Sequence, residues 1–324
     1  PFIKIQAMRQ TKAGFFVCLM FLVLACEKPA PTPTPPVTVV ESTYENVQDR
    51  GLLENAQLDE ASGLAASRLN RGYLWSHNDS GDKNRIFLFD TYGKGKYEFT
   101  IQGAENRDWE DMAVVKESDG SATIYVADFG DNNAVYSSYA IYWFKEPVIT
   151  ASTPALNTIT QVNKVTFTVS DGSRDMECLL VDQQTKDLFI ISKRETQKHL
   201  YKIPASNMVS GSSTKAEYLQ TLDNISQPFS SAAQVIQGFY ITAGSVSPDN
   251  MEILVKNYLE IYYWKRKEGE TIPQALARQA KTVPYQMEPQ GEGITFAEDG
   301  AGYYTISESP DGSSPVHLFF YKKK

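Results

Sequence analysis

Beyond residue 40 the chain is a succession of short apolar runs separated by Gly, Asp, Asn and Pro. Runs such as Tyr73–His77, Arg85–Phe89, Thr123–Ala127 and Tyr303–Ser307 are rich in β-branched and aromatic residues and too short for helices, so they predict strands. No stretch sustains a helical period, and Ile272–Ala280 is the best short candidate for a helix. The runs recur as units. The first opens with Glu60-Ala61-Ser62-Gly63-Leu64-Ala65, the second with Asp108-Trp109-Glu110-Asp111-Met112-Ala113 and the third with Asp175-Met176-Glu177-Cys178-Leu179-Leu180. The fourth is plainer, Ile241–Ser247 and a turn at Pro248-Asp249-Asn250, and the fifth opens with Gly291-Glu292-Gly293-Ile294-Thr295-Phe296. Units of three or four strands at intervals of about 45–65 residues predict an all-β propeller. The fifth unit is one strand short, and Thr43–Leu53 can complete it and close the ring. Ser206–Gln237 leaves room for a degenerate unit, so five and six blades are both open. A β-sandwich is the competing architecture, which the repeated opening disfavours.

The first forty residues read differently. Lys4, Arg9 and Lys12 precede an apolar run, Ala13–Ala25, that ends at Cys26. This resembles a bacterial lipoprotein signal, with residues 1–25 removed and Cys26 lipidated. The run of about 13 apolar residues is short for an uncleaved membrane anchor. Residues 26–40, which contain KPAPTPTPPVT, form an extended spacer, and 41–324 make the propeller domain. The expected location is the cell envelope, on the outer membrane or the periplasmic side, with membrane contact through the Cys26 lipid alone and the chain a monomer. Of three cysteines only Cys178 falls in the domain, so neither an internal disulfide nor a cysteine zinc site is available, and an apolar strand makes it a buried small hydrophobe. A net charge of −8 argues against a nucleic-acid partner.

Propeller geometry gathers distant residues. The openings of inner strands and the loops after second strands share one mouth of the central channel. The openings bring Glu110, Glu177 and Glu292, with Ser62 in the first unit and approximately Gly244 in the fourth. The second-strand ends bring His77, Asn78 and Asp79, then Asp128 and Asp131, then Lys193 and Arg194, then Lys256, then Glu308. Two loops share the pattern Asp-x-Gly-Asp-x-Asn: Asp79, Gly81, Asp82, Asn84 and Asp128, Gly130, Asp131, Asn133. Oxygen ligands at alternating positions around a glycine turn suit calcium, so Asp79, Asp82, Asp128 and Asp131 are candidate metal ligands. Tight-turn chemistry accounts for the same residues without a metal. A glutamate among apolar residues of an inner strand needs a wet channel or a partner, so Glu110 and Glu292 are candidate catalytic carboxylates. Pairing with Lys193, Arg194 or Arg107 is the alternative. His77, Asn78, Glu177, Lys193, Arg194, Lys256 and Glu308 are candidate ligand-binding residues, with cations facing carboxylates across the mouth. Trp75, Trp109, Trp143 and Trp264 read as packing between units.

The openings at 60–65 and 291–296, with Ser307-Glu308 closing the next strand, resemble the phytase-like (esterase-like) β-propeller proteins. The Gly-Glu-Gly opening also resembles the gluconolactonase and senescence-marker propellers, which carry a divalent metal in the channel. Trp75–Asp82, Asp108–Ala113 and Asp128–Asn133 are similar to a set of secreted bacterial propeller proteins. Only Glu292 matches the gluconolactonase-type opening, and the basic cluster of phytases has no one-to-one counterpart. The resemblance implies the propeller fold. The mouth, with carboxylates on one wall and cations on the other, suits a divalent cation, calcium first, beside a small anionic or sugar-like ligand. If the chain is an enzyme, the expected chemistry is metal-dependent hydrolysis of an ester, lactone or phosphoester. No Gly-x-Ser-x-Gly or His-Glu-x-x-His sequence is present. The alternative is a non-catalytic propeller that holds a surface protein or glycan at the envelope.

Overall fold

A computed structural model describes residues 44–225, 240–309 and 311–324. The expected signal (1–25), Cys26, the expected spacer (26–40) and residues 226–239, where the sequence leaves room for a degenerate unit, lie outside the described residues. The remainder is almost wholly β. Strand β1 (Gln48–Leu52) precedes the first unit, β2 (Ala61–Ala66), β3 (Tyr73–Asn78), β4 (Arg85–Asp90) and β5 (Tyr97–Ile101). The second has β6 (Trp109–Lys116), β7 (Ala122–Asp128) and β8 (Tyr139–Lys145); after β9 (Leu156–Ile159) it is completed by β10 (Asn163–Val169). The third is β11 (Met176–Val181), β12 (Leu188–Ser192), β13 (Lys198–Ile203) and β14 (Ser213–Leu222). The fourth is β15 (Ile241–Val246), β16 (Glu252–Asn257), β17 (Ile261–Lys265) and, after the helix α1 (Ile272–Leu276), β18 (Lys281–Val283). The fifth is β19 (Gly291–Phe296), β20 (Gly302–Ser307) and β21 (His317–Lys322), completed by β1 pairing antiparallel with β21.

Each unit is an antiparallel meander whose first strand is wholly buried in the first, third and fifth units and buried but for Ala113, Lys116 and Ser245 in the second and fourth. Among the described residues five apolar clusters fill the spaces between units. Trp75 and Phe99 pack against Met112 and Tyr142; Ile141 and Val165 against Leu179 and Tyr201; Leu180 and Leu200 against Val246 and Trp264. Tyr263 packs against Ile294 and Tyr321, and Ile306 and Phe320 against Leu64 and Phe87. The last contact returns to the first unit, so the arrangement is a propeller-like ring. Trp75, Trp109 and Trp264 are buried in these clusters, as the sequence reading expects, with Trp143 packed at an edge.

The outer rim is also tied together. Strand β9 leaves the second unit to pair in parallel with β5 of the first, and β10 pairs in parallel with β14 of the third. Within the segment 206–237, β14 pairs antiparallel with β13 and so belongs to the third unit. Helix α1 is shorter than Ile272–Ala280 because a Thr271–Gln274 capping box starts it and it stops at Ala277. It bridges the third and fourth units, with Gln220 donating to Pro273 O (2.9 Å). Among the described residues no helix is long and apolar enough to cross a membrane.

Candidate functional site

All five inner strands break register at the same level. The pairing jumps between Ala61 and Gly63, Trp109 and Asp111, Met176 and Cys178, Ile241 and Ala243, and Gly291 and Gly293. The extra residue at each bulge is Ser62, Glu110, Glu177, Thr242 or Glu292. A bulge re-aims one side chain without ending the strand. Repeated five times, it sets three carboxylates and two hydroxyls at one level around the channel. The fourth position is thus Thr242 and not Gly244, because the bulge shifts the alternation by one residue. Gly244 has a packing role instead: a Cβ there would stand 2.5 Å from Cys178 Sγ and 2.7 Å from Leu180 Cδ2. Cys178 is itself buried, free and apolar in its surroundings.

Above this level opens a cavity of about 830 Å³, walled by Asp79, Glu110, Glu177, Glu292 and Glu308 with Lys193, Arg194, Tyr240 and Tyr258. Three groups of carboxylates bring oxygens within 4.8 Å of one another: Asp79, Asp108 and Glu110; Asp79, Glu292 and Glu308; Glu110, Asp175 and Glu177. Asp108 and Asp175 were not singled out by sequence reasoning. Their signal was available, since each stands two residues before a bulge glutamate.

Burial dominates the electrostatics. It raises Glu110 well above the usual carboxylate range, with Glu177 and Asp79 adding to the effect, and Ser62 Oγ reaches Glu110 O (3.0 Å) and Oε2 (3.3 Å). Glu177 is raised likewise, although the Lys193 ammonium pairs with its Oε1 and opposes the shift. Glu177 Oε2 has no partner, and the side chain is 1% exposed. Burial, together with Glu292 and Asp108, lifts Asp79 to about 7. Burial, Glu292 and Asp79 lift Glu308 to about 9, and Gln290 donates to its Oε2. The Tyr258 hydroxyl donates to Glu292 Oε1. Arg194 pairs with Asp175, donates to Asn132 Oδ1 and lies over the Tyr240 ring, 4.7 Å from its centroid.

The structure thus brings Glu110, Glu292, Glu177, Glu308, Asp79, Lys193 and Arg194 together. It sets the other candidates back from the cavity lining. His77 is buried beside Trp109 with Nδ1 3.0 Å from Asn78 O, and burial pushes it down to about 4, so the ring is neutral. Asn78 spans Gln57 O (2.7 Å) and Glu60 N (3.1 Å). Lys256 is fully buried, donating to Gly291 O, and burial lowers it to about 8 against the pull of Glu288 and Glu292. Asp82 is ion-paired with Arg85 (2.9 Å). Asp128 accepts from Asp108 N (2.9 Å), and Asp131 from Val135 N (2.8 Å), Tyr136 N (2.9 Å) and the Tyr139 hydroxyl (3.0 Å). Of the two Asp-x-Gly-Asp-x-Asn loops, only Asp79 joins the carboxylate groups, while Asp82, Asp128 and Asp131 hold backbone and neighbours in place. Arg107 pairs with none of the bulge glutamates; it donates to Ser138 O (3.0 Å) and lies over Tyr136.

No family model and no curated protein matches the chain. Solved structures do. A luciferin-regenerating enzyme is similar over 85% of this chain and 94% of its own, at 10% identity and a TM-score of 0.43. Hydrazine synthase of Kuenenia stuttgartiensis is similar over 80% and 82%, at 10% identity and a TM-score of 0.39. A Bacteroides uniformis protein assigned as a 6-phosphogluconolactonase is similar over 70% and 58%, at 12% identity and a TM-score of 0.39.

Proposed function

We propose that the chain is a five-bladed propeller, held at the cell envelope by a lipid on Cys26. Its mouth binds a divalent cation with an anionic or sugar-like ligand and hydrolyses an ester or phosphoester bond in that ligand. The observation that carries the reading is the unpartnered Glu177 Oε2, buried in a group with oxygens of Glu110 and Asp175. A buried carboxylate oxygen is costly without a compensating bond or charge. With all three ionised, these carboxylates stand against two cations, the Lys193 ammonium on Glu177 and the Arg194 guanidinium on Asp175, which leaves one negative charge, at Glu110, for a divalent ion to offset. The donors are all oxygens, which suits a hard cation such as calcium, and without His or Cys among them zinc is disfavoured.

When bound, the cation supplies Lewis acidity toward a carbonyl or phosphoryl oxygen. The chain's own residues do the rest. Arg194, stacked on Tyr240 with its side chain 32% exposed, offers a guanidinium to an anionic group at the rim. Glu292, oriented by Tyr258, and Glu110, oriented by Ser62, are held facing the cavity as proton acceptors. Asp79, at about 7, is poised to exchange a proton near neutral pH. The cavity volume of about 830 Å³ falls within the range of small-molecule sites.

The test is metal content and thermal unfolding with and without calcium, followed by turnover of a panel of esters, lactones and phosphoesters. Calcium should raise the melting temperature by mass action. Glu110→Gln and Glu292→Gln should each abolish turnover in a folded protein. A chain that ignores calcium refutes the reading. One that binds calcium and turns nothing over is a binding propeller, not a hydrolase.

A further inference from the structure

We propose, on the cation-binding reading above, that the Lys193 ammonium is a built-in counter-cation that a divalent ion displaces from Glu177. Two halves of the contact are unfinished. Glu177 uses Oε1 for Lys193 and leaves Oε2 unpartnered. The Lys193 ammonium has three N–H donors, and its one hydrogen bond among the described residues is to that carboxylate. Neighbouring buried lysines are bonded more fully. Lys198 Nζ takes the carbonyls of Lys193 (2.8 Å) and Glu195, and Lys256 Nζ takes Gly291 O and Thr242 Oγ1 (3.4 Å). Those two hold backbone in place, whereas Lys193 holds only charge.

The surroundings fit a temporary tenant. The ammonium stands 5.8 Å and 5.9 Å from the Tyr240 and Tyr258 ring centroids, where aromatic faces favour a cation of any origin. Lys193 follows the last residue of β12 at the cavity wall, and its flexible stem can swing into the open volume beside it. Glu110, Asp175 and Glu177 meanwhile offer oxygens within 4.8 Å of one another, and with Arg194 on Asp175 and Lys193 on Glu177 the Glu110 carboxylate is left without a cation of its own. A divalent ion seated there takes over Glu177 and frees Lys193 to meet the anionic part of the ligand. Cation and anion binding are then positively and reciprocally coupled.

Calcium titration of the full chain by calorimetry tests this, with wild type, Lys193→Gln and Lys193→Arg. Lys193→Gln removes the competitor and should bind calcium about tenfold tighter than wild type, with Lys193→Arg close to wild type. In chelator Lys193→Gln should melt below wild type, and calcium should close the gap. Amine labelling of wild type keeps the inference testable if Lys193→Gln fails to fold in chelator: Lys193 should label faster once calcium is saturating. Calcium binding to wild type with Lys193→Gln equal or weaker, or labelling unchanged by calcium, overturns the inference and leaves the cation reading standing. If neither protein binds calcium, both fall.

Discussion

Gly130 sits in the second of the two acidic loops, yet its own part is to leave space. A Cβ at this position would fall well inside contact distance of Glu110 Oε1 and stand 2.5 Å from Asp108 Oδ2, where ordinary contact begins at 3.4 Å. Gly130→Ala therefore forces two carboxylates of one candidate cation group to move by about an ångström, the shortfall between clash and contact. The backbone adds no strain, because Gly130 is not among the residues with positive φ. Overpacking of this kind costs about 1–3 kcal/mol, and the lower part of that range applies because carboxylate ends give way more easily than backbone. For a domain of this size that is a fall in melting temperature of about 2–6 °C. The effect on the site should be larger than the effect on the fold, since an ångström of displacement in a positioned group can cost on the order of a hundredfold in rate. Thermal unfolding in chelator, calcium titration and turnover on the responsive ester measure the three effects separately. In the double variant with Glu110→Ala the stability losses should be less than additive, because one change removes an atom the other strikes. A Gly130→Ala protein that melts, binds calcium and turns over like wild type refutes the assignment of this glycine and the packing around Glu110.

Stability without a cation should fall as pH rises from about 5 to 8. Asp79 and Glu308 hold protons in the folded state up to about 7 and about 9, whereas the unfolded chain releases them near 4, so the folded state binds more protons throughout that window. His77, pushed down to about 4, opposes this by one proton against two up to about 6.5, and Lys198 and Lys256, pushed down to about 8, oppose it from the upper edge of the window. Melting temperatures against pH in chelator check the slope, saturating calcium should flatten it, and a rising profile contradicts the buried-carboxylate reading. Asp111→Ala should destabilise by about 3–5 kcal/mol in chemical denaturation, since it strands the buried N–H groups of Met112 (2.8 Å), Leu179 (2.8 Å) and Gly244 (3.2 Å). Asp111→Asn, which keeps an acceptor, should cost less; a loss under about 1 kcal/mol for Asp111→Ala would show those donors are satisfied otherwise. Glu146→Ala should lower stability by about 2–4 kcal/mol, because this buried carboxylate accepts from Trp75 Nε1 (2.8 Å), Arg68 N (3.0 Å), Leu69 N (3.1 Å) and the Ser67 hydroxyl. Trp75 fluorescence should shift with it.

The repeat was legible because every unit must bury one inner strand, and its apolar residues recur at a fixed distance from a turn. Strand β1 could be foreseen as the closing strand because the fifth unit ended with an unpaired edge, and the chain offered one free β-rich segment to cover it. The carboxylates at the inner-strand openings were legible for the complementary reason: Glu110, Glu177 and Glu292 break an apolar alternation where a charge is tolerated only beside water or a counter-ion. What escaped was geometry that residue type does not encode. Asp79 and Asp82 stand in one loop with one spacing, but Arg85 draws Asp82 into an ion pair and leaves Asp79 to the cavity. Thr242 was missed because a bulge adds one residue to the period, and a hydroxyl disturbs an apolar run far less than a glutamate does. Asp111 shows the limit most clearly. It adjoins Glu110 in the same opening and is as deeply buried, yet one side chain faces the cavity while its neighbour ties together the backbones of three inner strands. Adjacent residues in a strand point to opposite faces, and the bulge decides which of the two acids receives the channel. That register, set by pairing between strands, divides a Glu-Asp pair into one group for chemistry and one for architecture.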